Sequence, residues 1–236
     1  LIKTIPVYNK KDIKDFYKWY TKEENISSYR LLKNNIGYVS LKNIKDEDVN
    51  KIKKELKNTK GIIVDIRNYP SAFMPFTLGS FFTSSKTPFV KFTTGNIDYP
   101  GEFTFGDNLY IPSKGKTYQG KVIVLVNEIS QSAAEYTAMA FRAGDNVSII
   151  GSTTAGADGN VSTIYLPGGL RTMISGIGVY YPDGTPTQRI GIVPDIEVKP
   201  TIKGLIEERD ELIEKAIEII DDAKIAPINA KDWPLM

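Results

Sequence analysis

Short apolar runs alternate with amphipathic stretches along most of the chain, and their spacing predicts an α/β fold. IGYVSL (residues 36–41) has the composition of a strand, and DEDVNKIKKELKN (46–58) has the stripe of an amphipathic helix. GIIVDIR (61–67) is a continuous apolar strand that ends in charge. A strand, a helix and a buried strand at this spacing form a parallel crossover unit.

A second unit of strand, polar turn, helix and strand lies at residues 122–151, VIVLVNEISQSAAEYTAMAFRAGDNVSIIG. Its turn carries Ser130 and Ser132 directly before a helix of small residues. A serine at this position has an exposed hydroxyl beside the unpaired N–H groups of a helix start, which suits a nucleophile that faces a developing oxyanion. The alternative is structural: Ser132 is then an N-cap that forms a capping box with Glu135.

The segments around these two units predict further strands and a closing helix. The second half of the loop at residues 68–82 is predicted to be helical, and residues 83–119 predict a hairpin-like insertion over the site. Residues 202–223 predict one amphipathic helix that closes the domain. The stretches that predict strands joined by Pro/Gly turns are VSTIYLPGG, LRTMISGIGVYY and IGIVPDIEV.

The same pattern divides the chain into three parts. Residues 1–35 are rich in Lys and Asn and carry an aromatic stripe, and we expect a helical arm or the remnant of an upstream domain there. Residues 36–223 are expected to form the main domain, and residues 224–236 an extended tail. The chain starts at Leu1 without a methionine or a signal-peptide pattern, so we expect further sequence upstream.

Composition excludes several classes of chemistry. The net charge is +2, and no basic cluster with interleaved aromatics is present, so we expect no nucleic-acid partner. The chain has no cysteine and no histidine, which excludes thiolate catalysis, structural zinc and an imidazole base from within it. We therefore expect no metal and no cofactor. No apolar run reaches the roughly 20 residues that span a bilayer, so no transmembrane segment is expected.

Two further segments carry candidate chemistry. Asp65 and Arg67 end a buried strand and point to one face, where α/β folds bind ligands, and the N–H groups after Pro70 can supply half of an oxyanion hole. A structural ion pair with Glu135 or with a loop is the equally open interpretation. TTAGADGN (153–160) has glycines that could hold a phosphate, but its spacing matches neither a Walker loop nor a dinucleotide fingerprint. A backbone-lined wall of a peptide or acyl site fits it better.

In this order, these blocks resemble the carboxy-terminal processing peptidase family, which includes the tail-specific proteases and the tricorn core. The resemblance covers about residues 35–220. It implies an α/β, crotonase/ClpP-like core with stacked β-sheets and flanking helices, which hydrolyses peptide bonds with a serine nucleophile. The matching blocks are IGYVSL, GIIVDIRNYPSA, VLVNEISQSAAE, IIGSTTAGADGN and YYPDGTPTQRIGIVPDIEV.

The resemblance also implies roles for individual residues. Ser132 is the nucleophile, and the backbone N–H groups of Ala133 and of either Ser71 or Ala72 form the oxyanion hole. The supporting residues that it implies are Asp65, Arg67, Glu135 and Gln188. Gln188 stands where the tricorn-like branch has a glutamate, and its amide can still orient an imidazole.

The departures from the family pattern concern the base. Processing peptidases use a lysine 25 residues after the nucleophile, and Ala157 occupies that position here. The glutamine that assists it falls on Val161 or Ser162. Three interpretations stay open: an upstream region donates the base, a lysine such as Lys91 acts as base, or the site is degenerate and binds peptides without cutting them.

The sequence thus predicts a serine-type endopeptidase that acts on C-terminal tails or unfolded polypeptides and takes its base from an upstream region. A catalytically degenerate peptide-binding module of the same fold is the alternative. A crotonase-like acyl-CoA enzyme is disfavoured, because the Ser132 block and the closing Pro194-Asp195 segment match peptidases. The resemblance also implies export to the periplasm or cell envelope, and the sequence leaves the oligomeric state open.

Overall fold

The computed structural model describes residues 27–113, 115 and 117–222. The predicted helix of the N-terminal arm and the predicted tail therefore lie outside the described residues. The strands are β1 (Tyr29–Leu32), β2 (Ile36–Ser40), β3 (Gly61–Asp65), β4 (Thr87–Gly95), β5 (Phe103–Phe105), β6 (Leu109–Ile111), β7 (Lys121–Val126), β8 (Val147–Gly151), β9 (Val161–Leu166), β10 (Leu170–Ser175), β11 (Val179–Tyr180) and β12 (Ile196–Glu197). The helices are α1 (Asp48–Leu56), α2 (Ala133–Arg142), α3 (Ile202–Ile206) and α4 (Glu211–Asp221).

The main sheet has six strands in the order β1-β2-β3-β7-β8-β12. β1 is antiparallel to β2, and the other neighbouring strands pair in parallel. β2, α1 and β3 form the first predicted crossover unit, and β7, α2 and β8 form the second. The β1–β2 hairpin crosses the predicted boundary at residue 35, so the end of the predicted arm belongs to this sheet.

Helices cover both faces of the main sheet. α1 and α2 contribute Ile52, Ala138 and Phe141 to the core on one face. α4 contributes Ile213 and Ile217 to a second, smaller core on the other face. Because both faces are covered, β3 and β7 are almost entirely buried, which explains their continuous apolar sequences.

The predicted insertion at residues 83–119 forms most of a second sheet. β4 pairs with β5, β6 and β11. Aromatic contacts attach this sheet to α2: the ring centroid of Tyr136 lies 5.2 Å from that of Phe89 and 6.1 Å from that of Phe92. The fold is thus mixed α/β with several sheets.

β9 and β10 form a separate two-stranded ribbon. Every residue of both strands is exposed, and neither hydrophobic core includes any of them. The ribbon begins directly after the Gly-rich loop at residues 153–160 and leaves from the same side of the domain as that loop.

Three predicted elements differ from the structure. The helix predicted over residues 202–223 is split into α3 and α4, because Thr201 caps the first helix and Asp210 starts a second by accepting the N–H of Ile213. The helix predicted in residues 68–82 is reduced to a 3-10 turn at Gly79–Phe81. The predicted strand IGIVPDIEV is regular only at β12, since its first half follows the Gly-rich loop instead of the sheet.

Candidate active site

Ser132 lies immediately before α2 in a strained backbone conformation. Its φ is 53° and its ψ is −119°, a region that non-glycine residues rarely occupy and that costs about 1–3 kcal/mol. The turn that leads to it is held by Ser130, whose buried hydroxyl donates to the Ile66 carbonyl oxygen over 3.0 Å. Ser130 therefore fixes the turn to the end of β3, while the half-buried Ser132 carries the strain that is typical of an activated nucleophile.

Glu135 is fully buried in the first turn of α2 and connects Ser132 to the Gly-rich loop. Its Oε2 accepts the N–H of Ser132 (3.0 Å), which is the backbone half of the predicted capping box, and the N–H of Ala157 (2.9 Å). Its Oε1 accepts the hydroxyl of Thr154 (2.5 Å) and the N–H of Gly156 (2.7 Å). One carboxylate thus holds the loop against the start of the helix.

The Gly-rich loop also packs backbone to backbone against the segment that follows β11. Gly156 has a φ of +66°, and a Cβ there would lie 3.0 Å from the backbone nitrogens of Arg189 and Gly191. The Gly156 carbonyl oxygen accepts the Arg189 N–H over 2.7 Å. The loop therefore lies beside Ser132, and its role as the wall of a peptide or acyl site stays a prediction.

Asp158, at the end of this loop, is buried and incompletely hydrogen-bonded. Its Oδ1 accepts the Gly159 N–H over 2.7 Å, and its Oδ2 has no partner among the described residues. Burial, together with the nearby charge of Glu135, raises the pKa of Asp158 to about 7 in spite of the Gly159 hydrogen bond. Burial, together with the charge of Asp158, raises the pKa of Tyr136 to about 12.

Of the backbone N–H groups expected to form an oxyanion hole, some are already hydrogen-bonded within the fold and others are not. No described residue accepts the N–H of Ala133, the first residue of α2, nor that of Ala72. The N–H of Ser71, in contrast, donates to the Leu41 carbonyl oxygen over 2.9 Å. Of the two alternatives for the second donor, the structure therefore favours Ala72. Phe73, the next residue, lies 5.7 Å from Tyr136 between ring centroids, so this loop borders the first turns of α2.

Asp65 and Arg67 form an ionic network that faces α4. Arg67 donates from Nη2 to Oδ2 of Asp65 (2.7 Å) and to Oδ2 of Asp210 (2.8 Å). Tyr38 donates its hydroxyl to Asp65 over 2.8 Å. Burial alone would raise the pKa of Asp65, but the charge and hydrogen bonds of Arg67 hold it below its usual value. The structural interpretation of Asp65 and Arg67 is thus favoured, with Asp210 as the partner in place of Glu135.

The side chain of Gln188 packs against the end of the Gly-rich loop. Its amide binds the backbone just before and just after the β9–β10 ribbon. Its Nε2 donates to the carbonyl oxygens of Asp158 (2.8 Å) and Ile177 (2.9 Å) and lies 3.3 Å from the Ser175 hydroxyl. The side chain is therefore occupied by main-chain contacts near the site.

The lysines of the described residues form no hydrogen bond with Ser132. Within the described residues, no lysine ammonium lies at hydrogen-bond distance from the Ser132 hydroxyl. Lys91 lies on β4 with its Nζ 4.6 Å above the centroid of the Phe105 ring. Ala157 contributes only its backbone N–H to the site. In the part of the chain that the structure describes, no group of three or more acidic side chains could hold a metal ion.

Sequence reasoning missed Asp158 and Thr154 as parts of the site. Thr154 donates its hydroxyl to Glu135 and accepts the Ile192 N–H over 2.7 Å, so it joins the loop to the segment before β12. Both residues lie in the TTAGADGN block, and Asp158 directly follows the position that the missing lysine would occupy. The signal in the sequence was an acidic residue, Asp158, directly after Ala157, the position at which the family has its lysine.

A cavity of about 440 Å³ opens beside the site at the carboxyl ends of β7, β8 and β12. Glu128, from the turn that leads to Ser132, forms one wall, and Thr153, from the start of the Gly-rich loop, forms another. The remaining lining residues are Ser152, Glu197, Lys199 and Pro200. β12 is the edge strand here, so this cavity borders backbone that an extended peptide can reach.

Comparison with known proteins identifies the class. The sequence profile of Peptidase family S41 matches residues 35–198, and the chain belongs to this family. This match confirms the resemblance drawn from the motifs and supports a serine peptidase function. A search of curated proteins returned no match.

Solved structures agree with the family assignment. The chain is 25% identical to a candidate peptidase from Parabacteroides merdae, with a TM-score of 0.73 over 92% of this chain and 73% of that one. It resembles mature CPAF (18% identity, TM-score 0.63, 82% of this chain and 53% of that one). It also resembles the photosystem II D1 C-terminal processing protease (20% identity, TM-score 0.52, 70% and 42%). The chain thus spans about half of CPAF and less than half of the D1 protease.

Proposed function

We propose that this chain is the core of a serine endopeptidase that cleaves peptide bonds in C-terminal tails or unfolded polypeptides, with Ser132 as nucleophile. The observation that carries the proposal is the strained Ser132, held beside the unpartnered Ala133 N–H at the start of α2. The Ala72 N–H is the second proposed donor to the oxyanion. A crotonase/ClpP-like arrangement of the core over residues 36–223 is part of the same proposal.

The proposed reaction follows from these positions. The Oγ of Ser132 bonds to the carbonyl carbon of the scissile peptide, and its proton passes to a nitrogen base from an upstream region. The Ala133 and Ala72 N–H groups stabilise the negative oxygen that forms. The base then returns the proton to the departing amine, and water hydrolyses the acyl-enzyme. Glu135 holds the Gly-rich loop against the start of α2.

A peptide-binding module without catalysis is the second candidate. It is favoured by the absence, within the described residues, of any lysine close to Ser132, since general-base catalysis contributes about 10²–10⁴-fold. The cavity beside β12 and the backbone wall of the Gly-rich loop would still bind an extended chain.

Labelling with a fluorophosphonate separates the two candidates. This chain and the full-length protein are each treated with the probe, and the modified residue is located by mass spectrometry. We expect labelling at Ser132, at least 100-fold faster in the longer protein because only it carries the base. Ser132→Ala is the control that must abolish the adduct, whereas Ser85→Ala, at an exposed serine before β4, must retain it. Peptide binding without labelling in either protein would establish the binding module.

We also propose export to the periplasm or cell envelope, as the resemblance implies. No helix among the described residues has the length and apolar character needed to cross a bilayer. Cell fractionation of the native host tests this location, and recovery of the protein with the cytoplasmic fraction would contradict it.

A further inference from the structure

Asp158 is a buried carboxylate of the site to which the proposed reaction gives no role. The residue is 6% exposed, and its Oδ2 lacks a hydrogen-bond partner among the described residues. Buried polar atoms in folded proteins are almost always hydrogen-bonded, and a buried carboxylate is stable only when it is paired or protonated. The free Oδ2 therefore marks a position where a hydrogen-bond donor is missing.

Two connections place Asp158 beside the nucleophile. The N–H groups of Ala157 and Ser132 both donate to the same oxygen of Glu135, so the residue before Asp158 and the nucleophile lie around one atom. Tyr136, in the first turn of α2, is near enough to Asp158 for the charge of that carboxylate to contribute to the raised pKa of the phenol. Asp158 thus lies near the start of the helix that follows Ser132.

The groups that face Asp158 provide no positive charge. Glu135, from α2, faces it with a like charge, and Tyr136, from the same helix, faces it with a phenol. Gln188 binds the main-chain carbonyl of Asp158 and leaves the carboxylate alone. No lysine or arginine of the described residues forms an ion pair with it.

We propose that Asp158 is the anionic partner of the nitrogen base that activates Ser132. This inference rests on the proposed peptidase function. The base takes the proton of the Ser132 hydroxyl on its lone pair as the Ser132 Oγ bonds to the carbonyl carbon, and the resulting cation pairs with Oδ2 of Asp158. Asp158 is a positioning residue in this step, because it orients the base and stabilises its charge without accepting the serine proton.

Gln188, which the sequence suggests for this role, is less suited to it. Its amide N–H groups are directed to the Asp158 and Ile177 carbonyl oxygens, and a neutral amide stabilises a cation less than a carboxylate does. The Oδ2 of Asp158 is covered in this structure, so the base reaches it when the loop at residues 153–160 shifts. Hydrogen bonds to Glu135 and Gln188, together with backbone bonds to Ser130, Arg189 and Ile192, hold that loop, and this shift has to break part of them.

Free imidazole supplies the base in a direct test. This chain is treated with a fluorophosphonate over a range of imidazole concentrations at pH 6, 7 and 8, and the Ser132 adduct is quantified by mass spectrometry. We expect imidazole to accelerate labelling with saturation. Asp158→Asn should raise the half-saturating imidazole concentration by about tenfold, since it replaces a charged hydrogen bond by a neutral one. Asp158→Glu should restore part of the affinity.

The pH profile distinguishes positioning from a general structural effect. In the unmodified chain, the half-saturating concentration of neutral imidazole should fall as pH rises through about 7, where Asp158 loses its proton. In Asp158→Asn this dependence should disappear. Asp107→Asn, at an exposed carboxylate between β5 and β6, is the matched control and should behave like the unmodified chain.

Two results would overturn the inference in distinguishable ways. Equal imidazole dependence in the unmodified chain and in Asp158→Asn, with Ser132 labelled in both, would remove Asp158 from the mechanism and leave the proposed peptidase intact. No labelling of Ser132 at any imidazole concentration, in protein with an intact circular dichroism spectrum, would refute the peptidase proposal and this inference with it.

Discussion

Two buried aspartates, one at the end of β3 and one in the loop that follows β8, differ in the direction of their pKa shifts. Asp65 is surrounded by donors from Tyr38 and Arg67, and its pKa lies below the ordinary value. Asp158 is buried to a similar extent, but its one donor is the Gly159 N–H, and its pKa is raised to about 7. Burial is common to both, so the difference comes from the partners.

The comparison separates a carboxylate whose oxygens are all hydrogen-bonded within the fold from one with an oxygen that has no partner among the described residues. A carboxylate whose lone pairs are all hydrogen-bonded holds two elements together and has no acceptor position left for a further partner. A buried carboxylate with an unpaired oxygen destabilises the folded state by its desolvation, and a suitable hydrogen-bond donor or cation can remove that destabilisation. The three predictions below test this distinction, from the largest expected effect to the smallest.

Removing the guanidinium should break the structural site. Arg67→Met leaves Asp65 and Asp210 buried without their shared partner, and we expect a loss of about 3–5 kcal/mol in the free energy of unfolding at pH 7. Urea denaturation measures it. Lys45→Met, at an exposed ion pair with Glu47, is the control and should cost less than about 1 kcal/mol. Equal losses in both variants would show that the network contributes no more than a surface pair.

The sign of this effect with pH follows from the lowered pKa of Asp65. Stability from the network is present above the ordinary pKa of a carboxyl group and is lost as pH falls through the lowered pKa. The cost of Arg67→Met should therefore shrink in acid.

Neutralising Asp158 should have the opposite effect. Its pKa is 3.8 as an ordinary carboxyl and about 7 in the folded chain. Ionising Asp158 therefore costs more in the folded state than in the unfolded state, and the protein loses stability as pH rises from about 4 to about 7. Asp158→Asn should raise the free energy of unfolding at pH 8 by about 2–4 kcal/mol and change it little at pH 4. Denaturation at both values measures this. A loss at pH 8 would mean that the carboxylate has a partner after all.

Weakening the Glu135 carboxylate should open one loop and leave the rest of the fold intact. Glu135→Gln replaces one acceptor oxygen by an N–H₂ group, which cannot accept the N–H groups of the loop. We expect hydrogen exchange at Gly156 and Ala157 to accelerate by an amount that corresponds to about 1–3 kcal/mol, without a change around Arg67. Unchanged exchange at Gly156 would indicate that Gln188 and Thr154 hold the loop by themselves.

The sequence pattern predicts the local elements well where one periodicity dominates. The strand at 36–41, the helix at 46–58 and the unit at 122–151 correspond to β2, α1 and β7–α2–β8. The helix at 202–223 was wrong as a single element, because its break depends on Asp210, which binds a guanidinium 143 residues away. Periodicity within one segment carries no information about such a partner.

The site shows the same limit. Motif order leads to the family, and the local order of Ser132, Ala133 and Glu135 predicts the start of α2 with its capping box. The hydrogen bond that occupies Ser71 and the free oxygen of Asp158 depend on the placement of loops from distant parts of the chain. Those placements are tertiary, so a residue pattern cannot give them.

The amide of Gln188 has a mechanical consequence. It ties the exposed β9–β10 ribbon at its returning end, near Ile177, to the backbone of Asp158 at its starting end. A force on the ribbon must either break these hydrogen bonds or carry Asp158 with it. Whatever binds the exposed ribbon therefore also acts on the backbone of the loop at residues 153–160.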